Sequence, residues 1–178
     1  MRISKKCQAV QGSVTLAIDA KAKQMKAENK DVVSFGAGEP DFQTPQYIID
    51  AAVKALNEGK TKYTAAAGLP ELRKTICEYT KRNIGTEYEF DQVVVSNGAK
   101  QAIFNALQAI LNPGDEVIIF SPFWVSYPEM VKMADGVPVF VETIREQGFK
   151  IDFEALNKAV NEKTAAIIPI NVKTFAYI

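Results

Sequence analysis

Histidine is absent from this 178-residue chain. Without an imidazole, the chain offers no histidine-based metal site, no Ser-His-Asp triad and no Cys-His dyad. No metal site is predicted. Any acid–base chemistry must therefore use lysine, tyrosine, a carboxylate or a bound cofactor.

Cysteine is nearly as scarce, because only Cys7 and Cys77 occur, in different kinds of segment. We therefore expect no disulfide framework and a reduced, cytoplasmic protein. The N-terminal sequence MRISKKCQAVQGSV is positively charged but lacks the apolar stretch of a signal peptide. No run approaches the roughly 18 apolar residues that a membrane helix needs, so no membrane partner is predicted.

An excess of either charge is also missing, since 21 basic and 21 acidic residues give a formal net charge of zero. Nonspecific nucleic-acid binding needs clustered cations, and no long basic run is present, so no nucleic-acid partner is predicted. The composition, 47% hydrophobic and 24% charged, is that of a globular domain with a sizeable core.

The chain does contain a regular alternation of helical and strand patterns. Capped or amphipathic segments predict helices at residues 14–27, 44–56, 70–83, 101–111, 127–133 and 153–160. Short apolar runs predict strands at residues 32–35, 91–95, 116–120, 137–142 and 165–170. Apolar strands between helices are typical of a mostly parallel sheet sandwiched by helices. The predicted fold class is α/β, with an N-terminal helical arm.

The most informative local feature is the sequence SNGAK at residues 96–100, which follows an apolar run and opens a helix. Such a junction directs several backbone N–H groups at one point, with the helix dipole behind them. This arrangement favours an anion, most often phosphate. Gly98 and Ala99 would leave the approach open. A plain strand-to-helix turn explains the same pattern and remains an alternative.

Two further segments are compatible with a ligand at the same edge of the sheet. Trp124, the single tryptophan, follows the second central strand in SPFWVSY. In open α/β sheets ligands collect beyond the carboxyl ends of strands, where an indole could stack on a flat ring. The glycines of residues 35–42, FGAGEPDF, would let backbone approach a ligand closely. A packing tryptophan and an ordinary loop are the alternatives.

Four motifs occur in order: GAGEPDFQTP, KTKYTAAAGLPELR, VVVSNGAKQAIFNAL and NPGDEVIIFSPFWVSY. Together they resemble the class I/II aminotransferases of pyridoxal-phosphate fold type I, with the closest likeness to the bacterial aspartate aminotransferase branch. The resemblance covers residues from about 16 to 171. It implies that residues 1–43 form an N-terminal arm and small-domain segment. Residues 44–178 would then form part of the cofactor-binding large domain.

The resemblance also implies roles for individual residues. Gly98, Ala99 and Lys100 match the phosphate cup of the cofactor pyridoxal 5′-phosphate, in which backbone N–H groups matter most. Trp124 matches the aromatic residue stacked on the pyridine ring. Tyr63 matches a tyrosine that reaches the cofactor phosphate of the other subunit in a homodimer. Gly38 matches a glycine whose backbone meets the substrate carboxylate.

Arg73 lies in the second motif but matches no catalytic role of the family. An exposed helix charge is the expectation for its side chain. The substrates that the resemblance implies are an amino acid, with aspartate expected, and a 2-oxo acid.

The chain departs from the family pattern near residue 171. An Asn-Pro-Thr-Gly segment is expected there, but the sequence continues NVKTFAYI. The family's aspartate for the pyridine nitrogen, its Schiff-base lysine and its substrate-binding arginine would all lie beyond residue 178. The resemblance therefore implies no catalytic residue in this chain. We expect a truncated fragment that is inactive on its own, and that associates or is poorly soluble because apolar strand edges are exposed.

Two other functions remain open on these motifs. A lyase or synthase of the same fold would share the phosphate cup and the stacked ring. A noncatalytic domain that only binds a phosphorylated ligand would need the cup alone.

Overall fold

The computed structural model of the protein describes residues 2–36, 38 and 40–169. Packing divides the chain into two compact units. Of the described residues, the first unit contains those up to Gly38 and residues 103–169, and the second contains residues 40–102. The expected boundary between an arm and a large domain near residue 43 stays a prediction.

A four-stranded sheet forms the centre of the first unit. Its strands are β1 (Glu116–Ser121), β2 (Val137–Ile144), β3 (Lys150–Ile151) and β4 (Thr164–Ile168). They lie in the order β3-β2-β1-β4. Strand β1 pairs in parallel with both β2 and β4, and the two-residue β3 is antiparallel to β2. The mostly parallel sheet is confirmed.

Strand β1 is buried on both faces because its interior, VIIF, is entirely apolar. Side chains alternate between the two faces of a strand. Val117 and Ile119 therefore join one core cluster, with Val131 of the following helix. Ile118 and Phe120 join a second cluster on the opposite face. The prediction of a sheet sandwiched by helices is confirmed.

Four helices belong to the first unit: α1 (Lys5–Ala9), α2 (Val14–Ala27), α6 (Ser126–Met133) and α7 (Phe153–Ala159). Ser4, Ser13 and Asp152 cap α1, α2 and α7, because each side-chain oxygen accepts backbone N–H groups of the first turn. Only α1 was not expected from the sequence.

The second unit is mainly helical. It contains α3 (Gln46–Asn57) and α4 (Pro70–Ile84), followed by a 3₁₀ turn at Phe90–Gln92. Pro70 occupies the first turn of α4, where its missing N–H costs nothing. Gly85 ends α4 in the left-handed conformation, with φ of 78°. Helix α5 (Gly98–Ile110) contains residues of both units.

Two predicted strands are wrong. Residues 91–95 form the end of the 3₁₀ turn and then an extended segment that pairs with no strand in the described part of the chain, and residues 32–35 form no strand. A strand needs a neighbouring backbone for its ladder, and β-branched composition alone does not supply one. The short strand β3 was missed because two residues carry no periodic pattern.

The sequence NVKTFAYI, on which the expected departure from the family depends, lies outside the described residues. Within the described ranges, no helix is long and apolar enough to cross a membrane.

Candidate functional site

The first turn of α5 is the predicted phosphate seat, and Gly98 begins it. The first N–H groups of an α-helix have no intrahelical acceptor, so they are available to an anion. Gly98 has a φ of 79°, a left-handed value that residues with a side chain rarely adopt. A methyl group built on Gly98 would meet no atom within 4 Å, so the space beside Gly98 itself is open.

Not every amide of this junction points outward. The N–H of Gly98 donates to the carbonyl of Ser96 at 2.9 Å. The N–H of Asn97 donates to the side-chain oxygen of Gln101. Gly98 therefore contributes its backbone conformation, and its own N–H is directed at Ser96 in this structure. A phosphate contact through the amides of this turn therefore depends on residues that follow Gly98.

The segment that leads into α5 is held by the loop before α4. The N–H of Val95 donates to the carbonyl of Ala67 at 2.9 Å. The next residue, Gly68, has a φ of 100°, and a Cβ there would lie 2.7 Å from the Cβ of Val95. A side chain at position 68 would therefore push the segment away. The small-residue loop TAAAG thus has a packing role that was not foreseen.

Arg73 is not the exposed helix charge that the sequence led us to expect. Its relative exposure is 9%, and its Nε–H donates to the carbonyl of Val93 at 2.7 Å. The expectation was wrong because Arg73 shares the inner face of α4 with Ile76, Cys77 and Thr80, all partly buried. That spacing of three, four and seven residues was the signal that could have revealed it.

Trp124 lies just beyond the carboxyl end of β1, as predicted. Its relative exposure is 38%, so part of the residue is covered and part remains accessible. The loop around it is fixed on both sides. The ring of Phe123 stacks on Phe140 with centroids 5.0 Å apart, and the N–H of Tyr127 donates to the Trp124 carbonyl. An indole on a supported loop is suited to stacking against a flat ligand.

Tyr63 and Gly38 are both exposed, and Tyr63 is completely so. Its side chain is therefore accessible to a neighbouring molecule. The preceding glycine of the GAG sequence has a packing role. A Cβ on Gly36 would lie 3.1 Å from Cγ2 of Ile18, so this glycine allows close packing on α2.

The predicted site residues are divided between the two units. Gly98, Ala99, Lys100 and Tyr63 belong to the second, whereas Gly38 and Trp124 belong to the first. Their assignment to one shared cofactor site stays a prediction. No group of three or more potential metal ligands occurs in the described part of the chain.

A largely apolar cavity of about 590 Å³ lies within the first unit. Its lining includes Phe104, Phe123 and Phe140. The two charged residues of the lining, Glu129 and Lys132, form an ion pair of 2.9 Å with each other. Because these opposite charges lie together, the lining of the cavity carries no net charge that would attract a phosphate group.

Comparison with known proteins agrees with the sequence motifs. The family model "Aminotransferase class I and II" matches residues 30–173. The chain is 54% identical over 168 residues to an aspartate aminotransferase of Bacillus subtilis, covering 94% of this chain and 43% of that relative. It therefore spans less than half the length of the curated relatives it matches.

Solved structures show the same relationship. An aspartate aminotransferase from Thermus thermophilus with maleate superposes with a TM-score of 0.91 at 48% identity, covering 95% of this chain and 44% of that one. An alanine aminotransferase from Pyrococcus furiosus gives a TM-score of 0.90 at 33% identity, with 96% and 44% coverage. The fold is therefore that of fold type I aminotransferases, of which this chain is the N-terminal portion.

Proposed function

Because this chain belongs to the class I and II aminotransferase family, we propose that the protein transfers an amino group between an amino acid and a 2-oxo acid. Aspartate is the proposed amino donor, because relatives that share 51–54% of their aligned residues with this chain are aspartate aminotransferases. The observation that carries the proposal is the helix start at Gly98, whose left-handed φ and open surroundings suit a phosphate within the matched region.

The cofactor of this family is pyridoxal 5′-phosphate. When bound, it supplies an electron sink that stabilises negative charge at the α-carbon of the amino acid. The proposed phosphate site is supported by the N-terminal turn of a thirteen-residue helix, which has backbone amides and the positive end of the helix dipole. Gly98 has no side chain, and the space that a Cβ would occupy there is open.

In this proposal each site residue has one task. The amides of the first turn of α5 hold the phosphate, and the indole of Trp124 covers one face of the pyridine ring. The backbone at Gly38 meets the substrate carboxylate. Tyr63, fully exposed on its own subunit, reaches the cofactor phosphate of a partner in a homodimer. The proposal includes a cytoplasmic location for this reaction.

These tasks are binding and orientation, not proton transfer. Transamination also needs a lysine that carries the cofactor and moves the α-proton, and a carboxylate at the pyridine nitrogen. No residue of this chain is proposed for either task. The polypeptide of residues 1–178 by itself is therefore expected to show no transaminase turnover, although it keeps the phosphate seat.

The test is a pair of measurements on the full-length protein. Spectral titration with pyridoxal 5′-phosphate should saturate at one equivalent per subunit, and pyridoxal, which lacks the phosphate, should bind more weakly. The loaded protein should then convert aspartate and 2-oxoglutarate, with slower turnover of alanine. Equal affinity for pyridoxal and its phosphate would contradict the proposed phosphate seat.

The same assays separate the other two functions. A lyase or synthase would consume the amino acid without requiring a 2-oxo acid acceptor. A noncatalytic binder would bind the phosphorylated compound and turn over neither substrate. Turnover of residues 1–178 alone at the full-length rate would contradict the division of tasks between binding and proton transfer.

A further inference from the structure

Arg73 is a buried cation, and the groups that compensate its charge are a backbone carbonyl and an aromatic ring. Its relative exposure is 9%, and burying a charge is costly unless it is compensated by partners. In the described part of the chain, Arg73 forms no ion pair with a carboxylate. Its partners are instead the carbonyl of Val93 and the ring of Phe90.

Both contacts have good geometry. The Nε–H of Arg73 donates to the carbonyl of Val93 at 2.7 Å, at the short end of the range for charge-assisted bonds. The Cζ atom lies 4.6 Å from the centroid of the Phe90 ring, within the range of a cation–π contact. The guanidinium is therefore held by a ring on the 3₁₀ turn while it holds a backbone carbonyl just after that turn.

The carbonyl that Arg73 binds belongs to the extended segment that leads into α5. Val93 is extended, with φ of −109° and ψ of 126°, and burial alternates between partly buried Val93 and Val95 and exposed Val94. In an extended segment the carbonyl of one residue and the N–H two residues later lie on the same edge. Arg73 binds the first, and the carbonyl of Ala67 accepts from the second.

The second unit thus replaces a missing strand neighbour with two separate contacts. Gly68 adds a steric limit, because a Cβ at that position would lie 2.7 Å from Val95. Together these contacts fix the position of the extended segment along and across its axis. Gly98, which begins α5, follows Val95 by three residues, so a shift of the segment would move the first turn of the helix.

We propose that Arg73 is a positioning residue for the phosphate seat, acting through the carbonyl of Val93 and not by contact with the ligand. The inference rests on the proposed function, which assigns the phosphate to the first turn of α5. Loss of the guanidinium releases the extended segment and misplaces the amides. The affinity for a phosphate-bearing ligand then falls, whereas the affinity for the same ligand without phosphate changes little.

The test compares Arg73→Met with Lys74→Met in the full-length protein. Lys74 is a matched control, because its Nζ lies 5.9 Å from the same Phe90 ring but makes no bond to Val93. The readout is the ratio of affinities for pyridoxal 5′-phosphate and pyridoxal. Arg73→Met should lower this ratio roughly tenfold, and Lys74→Met should leave it within about twofold.

Arg73→Lys provides a rescue test, since lysine retains the charge and a donor but not the flat guanidinium. In Arg73→Lys, the ratio of affinities for pyridoxal 5′-phosphate and pyridoxal should fall only about threefold. If Arg73→Met does not fold, Arg73→Lys decides, and an unchanged ratio overturns the inference. Equal losses for both ligands in Arg73→Met would mean a purely structural role, and equal losses in both methionine variants would mean a long-range charge effect.

Failure of the proposed function is distinguishable from failure of this inference. If the wild-type protein does not prefer the phosphorylated ligand, the phosphate seat itself is refuted. If the wild-type protein prefers it and Arg73→Met keeps that preference, the seat stands and only the positioning role is refuted.

Discussion

At the scale of single residues, position 98 requires glycine because of its backbone conformation, and not because a side chain there would lack space. Its φ is 79°, yet a Cβ there would meet nothing within 4 Å. Replacement by alanine should lower the free energy of unfolding by about 1 kcal/mol, because the left-handed conformation is strained for residues with a side chain. Chemical denaturation of the full-length protein measures this change.

Gly12 is the matched control for that prediction. A Cβ on Gly12 also meets nothing within 4 Å, but its φ lies outside the left-handed range. Gly12→Ala should therefore change the unfolding free energy by less than about 0.5 kcal/mol. If the two variants were equally stable, the strain at Gly98 would be refuted.

Trp124 should contribute to ring binding and not to phosphate binding. Trp124→Ala should weaken both pyridoxal and pyridoxal 5′-phosphate by a similar factor of about ten, because both present the same ring. Trp124→Phe, which keeps an aromatic face, should recover most of the affinity. Spectral titration gives these values, and a loss restricted to the phosphorylated compound would contradict the stacking role.

Arg73 shows where residue-level reasoning from sequence fails. The sequence gives its helix and even its helical face, but it cannot say which backbone lies opposite that face. Burial and the bond to the Val93 carbonyl depend on how the segment after the 3₁₀ turn packs on α4. A charge becomes a buried contact only when tertiary structure brings it an acceptor.

At the scale of elements, β1 contributes buried side chains to both core clusters of the first unit. Ile118 is 0% exposed, whereas Ile167, its partner in the β1–β4 register, is 44% exposed. Ile118→Ala should lower the unfolding free energy by about 2–5 kcal/mol, and Ile167→Ala by less than about 1 kcal/mol. Denaturant midpoints of the two variants provide the comparison, and similar losses would contradict a core centred on β1.

The longer helices could be predicted because each carries its own caps or periodicity, and the central strands because each is a short apolar run. The start of α2 at Val14 and its end at Ala27 match the prediction residue for residue. The apolar run of β1 likewise predicts a strand that is buried on both faces. Residues 91–95 have strand composition but not strand structure, because pairing depends on a neighbour that composition does not specify.

At the scale of the whole molecule, the proposed homodimer predicts that Tyr63 of one subunit serves the cofactor of the other. In a hybrid dimer, one subunit carries Tyr63→Phe and the other carries Trp124→Ala. If Tyr63 serves the partner's cofactor, one site of the hybrid is intact and the other is doubly altered. Half of the sites should then bind pyridoxal 5′-phosphate with wild-type affinity, measured by titration.

The opposite arrangement gives a different result. If Tyr63 served its own subunit, both sites of the hybrid would be singly altered and none would bind normally. Homodimers of each variant provide the reference affinities. Tyr63→Phe alone should weaken binding by roughly tenfold to a hundredfold, the effect of one hydrogen bond to a charged group.

The sequence by itself determined the alternation of helices and strands, the family and the positions of Gly98 and Trp124 beside helix and strand ends. These features are local or motif-based, so they are written in neighbouring residues. Only the tertiary structure decided that Arg73 is buried, that Gly68 and Gly36 are packing glycines and that residues 91–95 pair with no strand among the described residues. Each of these depends on contacts between distant parts of the chain, because burial and pairing are properties of two surfaces rather than of one.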